Sequence, residues 1–237
     1  MTSMHHAFPM RRAAMRWLCV ALLPVALAAC TTTGAPPATS LAAPKPVIPP
    51  EQAARYGALQ DEPFAVPAVS LEDLKPRYMR QLVDNPTGQP PGTIVVDPGK
   101  RFLYLVQENG KALRYGVGVG REGLAWSGTA NVATKRAWPS WTPTPDMIRR
   151  EPRRYARWAG GMKGGADNPL GARALYLFKD GKDTLYRIHG TNEPWSIGQA
   201  MSSGCIRMMN QDVVDLYAHV RAGAKVVVLP ARRDGGA

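Results

Sequence analysis

The sequence is short of several things. It has 3 cysteines and 4 histidines in 237 residues, only 4 phenylalanines, and 18 acidic residues against 30 basic ones. So few cysteines exclude a disulfide-built scaffold, and so few histidines leave little for a metal cluster. Only one apolar run approaches spanning length, which excludes a chain crossing the membrane many times. The 23 glycines follow no three-residue period, which excludes a collagen-like rod. What is present is an apolar content of 45%, too high for a purely disordered chain and enough for one sizeable domain with appendages. The charge of +12 suits an anionic partner, whether nucleic acid, lipid or a carboxylate-rich polymer, without choosing among them.

The N-terminus reads as an export signal. Arg11, Arg12 and Arg16 precede an apolar stretch from Trp17 to Ala29, followed at once by Cys30. Leu27-Ala28-Ala29-Cys30 resembles the bacterial lipobox, which implies cleavage before Cys30 and lipidation of its thiol and amine; the alternative is an ordinary signal peptide that happens to contain a cysteine. Thr31 in place of an aspartate implies, by the same resemblance, the outer membrane, with the protein facing the periplasm. Cleavage would leave 27 basic and 18 acidic residues, a balance of +9, and two histidines, His189 and His219. If Cys30 is lipidated, Cys205 is the one free thiol. A lone thiol in an oxidising compartment is a liability unless it does chemistry.

The organisation expected is a signal peptide over 1–29, a lipid-anchored Pro/Ala/Thr-rich tether over 30–70, a lead-in over 71–91, a folded domain over 92–230 and a tail over 231–237. Strands are predicted at 93–96, 101–107, 111–119, 174–178, 184–188 and 225–229, with Asn109-Gly110 as a hairpin turn. One helix is predicted over 212–221, capped near Asn210 or Gln211 and followed by Gly223. The stretch 129–171 reads as a long irregular loop, rich in Pro, Trp and Gly. The fold class is therefore mostly β: an antiparallel sandwich or barrel-like sheet with a long loop and one late helix.

A thiol nucleophile needs a base. His219 lies within the predicted helix and reads as an ordinary surface residue, whereas His189 ends a strand and is followed by Gly190, where its ring can emerge at a sheet edge. Sixteen residues later stands Ser202-Ser203-Gly204-Cys205-Ile206-Arg207, in which the backbone amides around Gly204 and Cys205 could form an oxyanion hole. On spacing alone, Cys205 fits a buried structural thiol as well as a nucleophile.

The combination of His189-Gly190-Thr191-Asn192, Pro194-Trp195-Ser196-Ile197-Gly198 and Ser202-x-Gly204-Cys205-Ile206-Arg207-Met208 resembles the signature of bacterial L,D-transpeptidases with a YkuD-type catalytic domain. Fragments at 91–97, 101–106, 115–121 and 168–177 resemble the same family. Ser203 stands where the family often has histidine, and Ala125 to Thr129 replace a Thr-Pro-x-Gly turn. The resemblance implies that Cys205 attacks a peptidoglycan stem peptide, with His189 as base and a backbone carbonyl such as that of Gly190 orienting the ring. It implies Gly204 at the oxyanion, and Ser203, Trp195 and Arg207 as substrate contacts, Arg207 serving equally as a brace for its loop. The acceptor would be an amine of a second stem or of a wall-linked protein. Water as acceptor would make the protein a carboxypeptidase, and loss of turnover a wall-binding lipoprotein. No cofactor, no metal and no nucleic-acid partner are expected. The arginine cluster at 149, 150, 153, 154 and 157 reads either as a solvated face or as a lid attracting carboxylates. The run Gly118-Val119-Gly120-Arg121-Glu122-Gly123 spells a dinucleotide motif, but no helix is predicted to open after it.

Overall fold

A computed structural model describes residues 48–120, 126–201 and 205–231. The strands are β1 (Gln81–Asp84), β2 (Ile94–Asp97), β3 (Phe102–Val106), β4 (Lys111–Gly116), β5 (Gly118–Gly120), β6 (Gly128–Ala137), β7 (Arg173–Lys179), β8 (Lys182–His189), β9 (Ala200–Met201), β10 (Ile206–Arg207) and β11 (Lys225–Val228). They form one eleven-stranded sheet in the order β1-β4-β3-β2-β11-β6-β7-β8-β10-β5-β9. Pairing is mostly antiparallel, as expected. The parallel pairs are β8 with β10, β2 with β11, and β5 with β9.

The connection from β4 to β5 dictates the shape. Val117 alone separates them in sequence, yet they stand second and tenth in the sheet. Strands lie roughly 4.8 Å apart, so a flat sheet could not bridge that distance with one residue. The sheet therefore curls into a barrel-like form. Its inner face carries one apolar cluster, including Ile94, Leu103, Val117, Val132, Leu175, Ile188 and Ile206, closed by Val213 and Leu216 of the main helix.

The hairpin at Asn109-Gly110 is as predicted. Both residues have positive φ (56° and 67°), as a two-residue turn of this hand requires. The main helix, α4 (Asn210–His219), starts two residues earlier than predicted, with Met209 as its cap.

Three expectations need correction. The stretch 129–171 is not all irregular: its first nine residues belong to β6, the longest strand. Alanine and valine carry the buried positions, and the register shifts between Val132 and Thr134, which blurs the alternation. It also holds two short helices, α2 (Pro145–Arg150) and α3 (Pro152–Tyr155), so the late helix is not the lone one. The third correction concerns residues 48–70, read as tether. They include α1 (Pro50–Ala54), a bridge between Leu59 and Val66, and Tyr56 and Val66 each 2% exposed. Tyr56 packs with Leu74, Met79, Ile197 and Met209, and its hydroxyl donates to Asp212 across 156 residues of sequence. Proline-rich composition hid this strap, because its contacts are to distant residues. No helix among the described residues is long and apolar enough to cross a membrane. Cys30 and the export signal lie outside the described residues.

Candidate active site

β8 and β10 run parallel, with Ile206 opposite Ile188 and Arg207 opposite His189. Ile188 and Ile206 are buried in the core, so alternation turns His189 and Arg207 to the opposite face. Cys205 enters β10 one residue before Ile206 and is half-buried. The two-residue offset puts its Cα roughly 8 Å from that of His189, by strand geometry. The Cys205 backbone is tied to β5, since Gly120 N–H donates to its carbonyl (3.1 Å). Its thiol lies 3.5 Å from the carbonyl of Leu185 in β8. Leu185 has φ 63°, a left-handed conformation held by its N–H donating to Asp183 Oδ1 (2.8 Å).

His189 is 3% exposed. Its Nδ1 is 2.6 Å from the Gly190 carbonyl. A carbonyl only accepts, so Nδ1 carries the proton and Nε2 keeps its lone pair. Burial pushes the imidazole down to about 4, reinforced by the charges of Arg207 and Arg187 and opposed by the Gly190 bond. The ring is thus a neutral base near pH 7.

Gly190 is positioned by a residue whose expected role was only that of a helix cap. Asn210, the first residue of α4, accepts from Ala172 N–H (2.9 Å) and donates to the Thr191 carbonyl (3.0 Å). A Cβ on Gly190 would overlap Asn210 Oδ1 and crowd Val213 (3.1 Å) and Ala172 N (3.2 Å), which is why this position holds glycine. Gly190 N–H donates to the Arg173 carbonyl (3.0 Å), so His189's partner is fixed from both sides.

Residues 138–172, between β6 and β7, form a lid over a cleft of about 620 Å³ that reaches His189 and Arg207. Asn168, fully buried, stitches the lid together, donating to the carbonyls of Pro139 (3.1 Å) and Lys163 (3.0 Å) and accepting from Leu170 N–H (2.9 Å). Its only sequence signal is the Asn-Pro pair, a turn former. Trp141 and Tyr155 pack edge to face within the lid. Arg154, Arg157 and Lys163 join Arg207 on the cleft wall against Glu193 and Asp167, so its lining is cationic.

Arg207 is ion-paired to Glu193 (2.7 Å), which also binds Arg154 of the lid (2.9 Å). The ion pair fits the expected role of a brace, and Arg207 also lines the cleft, where the expected substrate contact would be made. Trp195 is 46% exposed in a short 3-10 turn outside the residues that line the cleft, and its carbonyl accepts from Gln199 Nε2 (2.8 Å). Ser203 and Gly204, and with Gly204 one of the two expected oxyanion amides, lie outside the described residues; the other is that of Cys205. His219 is exposed on α4, with Nδ1 against the Asp215 carbonyl (2.8 Å), the surface role expected of it. Among the described residues no group of three or more histidine, cysteine or acidic side chains is placed to hold a metal ion. Gly118, Val119 and Gly120 of the glycine-rich run form β5, which pairs with β10, and the rest of that run lies outside the described residues.

Comparison with known proteins bears on this arrangement. The family model for the L,D-transpeptidase catalytic domain (YkuD) matches residues 91–228. The chain is 33% identical over 141 residues to the probable L,D-transpeptidase ErfK/SrfK of Escherichia coli K12, covering 57% of this chain and 43% of that protein. A second E. coli K12 relative, the probable L,D-transpeptidase YcfS, is 33% identical over 132 residues, covering 54% of this chain and 41% of that one. The chain spans about two fifths of the length of these curated relatives. A crystal structure described as a probable carnitine operon oxidoreductase caia from Brucella melitensis is 54% identical, covering 66% of this chain and 96% of that chain with a TM-score of 0.46. That description concerns the Brucella protein.

Proposed function

The chain belongs to the L,D-transpeptidase catalytic-domain family, and from that premise we propose that it is a cysteine acyltransferase acting on peptidoglycan tetrapeptide stems. The observation that carries the reading is the state of His189: buried, neutral, locked through Nδ1 to Gly190, and one strand away from a thiol.

In this reading Cys205 Sγ attacks the carbonyl joining the third-position diamino acid to the terminal D-alanine, and His189 Nε2 takes the thiol proton. The carbon–nitrogen bond breaks and the imidazolium returns that proton to the departing amine. A thioester remains on Cys205. An acceptor amine of a second stem or a wall-linked protein attacks it, gives its proton to His189, and the released thiolate recovers it. The cationic cleft suits the carboxylates of such stems. Export and anchoring through a lipidated Cys30, facing the periplasm from the outer membrane, complete the proposal; the N-terminal sequence supports them.

The test is incubation of the chain with a disaccharide-tetrapeptide. D-alanine release and a thioester adduct on Cys205 by mass spectrometry are expected, both lost in Cys205→Ala. A crosslinked dimer identifies transfer, and a shortened monomer identifies hydrolysis. Folded protein that releases no D-alanine and forms no adduct overturns the proposal.

A further inference from the structure

The lid leaves the sheet at Trp138 and returns at Ala172, and the two roots meet, with Trp138 N–H donating to the Ala172 carbonyl (2.8 Å). One carboxylate from outside the lid grips both. Glu62 Oε2 accepts from Trp138 Nε1 (2.8 Å) and from Arg173 Nη1 (2.8 Å), while Oε1 accepts from Arg173 Nη2 (2.5 Å). The pair is largely sheltered, with the side chains of Arg173 and Glu62 14% and 10% exposed. Beside it, the Phe64 ring packs edge to face on the Trp138 indole, 5.0 Å between centroids.

Trp138 is a hinge under constraint. Its φ is 45°, a left-handed conformation that a bulky side chain adopts only when its surroundings impose it. Gly164, from the far end of the lid, lies flat against the Trp138 carbonyl, where a Cβ would overlap it. The Trp138 backbone is tied across to Ala172 just beyond the end of β6 at Ala137, and its indole is held by Glu62 and Phe64.

We propose that Glu62 is a positioning residue: it holds both roots of the lid in one grip and so sets the shape of the cleft beside His189, making the strap before β1 a working part of the site. The proposal rests on the reading of that cleft as the substrate site. Glu62 and Phe64 fall outside the residues 91–228 matched by the family model, so this support is supplied by the chain's own N-terminal segment. His189 stands on β8, paired through the backbone with β7 and β10, and Glu62 touches this pairing only through the side chain of Arg173, whose backbone carbonyl accepts from Gly190 N–H. Loosening the lid should therefore weaken substrate capture more than the chemical step.

The experiment uses the full chain with Glu62→Gln, Trp138→Phe and the double variant. Two readouts are taken: hydrogen exchange across residues 138–172, and steady-state kinetics with a disaccharide-tetrapeptide. Glu62→Gln is expected to speed exchange in the lid about ten-fold while the core strands are unchanged. It should raise KM about five- to ten-fold and leave kcat within about two-fold. Trp138→Phe keeps an aromatic ring, smaller than the indole, and removes the Nε1 donor, so a smaller change in the same direction is expected, adding little in the Glu62→Gln background. Should Glu62→Gln fail to fold, Trp138→Phe decides by the same readouts. Unchanged lid exchange in folded variants, or a fall in kcat with KM unmoved, overturns the proposal. If the wild-type chain turns over no tetrapeptide, the reading of the cleft as a stem-peptide site falls, while lid exchange still decides whether Glu62 holds the roots.

Discussion

Replacing Asn210 by alanine should loosen the loop that holds His189, by an amount that can be worked from its contacts. The side chain satisfies two buried backbone groups, the N–H of Ala172 and the carbonyl of Thr191. Each buried group left unpaired costs about 1–3 kcal/mol, so Asn210→Ala should lose roughly 2–6 kcal/mol. For a domain of this size that is a fall in Tm of roughly 4–24 °C. Gly190→Ala should separately cost about 1–3 kcal/mol, because its new Cβ overlaps Asn210 Oδ1. In the Asn210→Ala background that obstacle is gone, leaving only the closer fit to Val213 and Ala172 N. The second substitution should then cost at least about 1 kcal/mol less than it does alone. The assay is urea unfolding of the wild type, both single variants and the double variant. Additivity within about 0.5 kcal/mol, or an Asn210→Ala loss under about 1 kcal/mol, would refute the assignment of Asn210 as the fastener of this loop.

Other predictions follow from the same coordinates. Because burial and Arg207 hold His189 down at about 4, the acid limb of kcat/KM should lie well below the ordinary histidine value, and Arg207→Gln should move it upward; a wild-type limb at or above 6.5 contradicts this. The same depressed value means that the folded state binds fewer protons than the unfolded one between about 4 and 6.5, so His189's contribution to stability is lost as pH falls through that window. Asp212 has the opposite sign. Burial raises it to about 7, the folded state takes up a proton, and its contribution is lost as pH rises from the ordinary carboxylate range through 7. Melting at pH 5 and pH 8 should show a smaller drop in Asp212→Asn than in the wild type, and equal drops would refute the raised value. Cutting the Arg207–Glu193–Arg154 chain with Glu193→Gln should raise KM, because it frees the lid from β10, and should lower stability, because the buried Arg207 loses this carboxylate; an unchanged KM would show that the bridge does not shape the cleft.

Local sequence was informative where structure depends on neighbours along the chain. Asn109-Gly110 adopts the positive φ values that a tight hairpin needs, and alternating or continuous apolar runs became β2, β3, β7, β8 and β11. Gly190 as the partner of the imidazole was also legible, since a base at a strand end calls for an orienting acceptor. β6 was illegible because small residues carry its buried positions and a register shift breaks its alternation. The strap over 48–70 was illegible for a different reason. Its proline-rich composition says nothing about Tyr56 reaching Asp212 or Glu62 reaching Arg173, contacts that span 156 and 111 residues.

Sequence by itself determined which chemical groups the protein possesses: a thiol, an imidazole ending a strand, a basic lid, and an N-terminal segment with the character of an export signal. Tertiary structure decided what those groups are worth. His189 is a neutral base because distant elements exclude water and place Arg207 beside it; Arg207 is a brace because Glu193 reaches it; and the lid has a shape because Glu62 holds its two ends. Hydrophobic alternation and turn conformation act over a few residues and can be read along the chain. Desolvation, charge proximity and shared hydrogen bonds act through space, and they exist only once the sheet has closed.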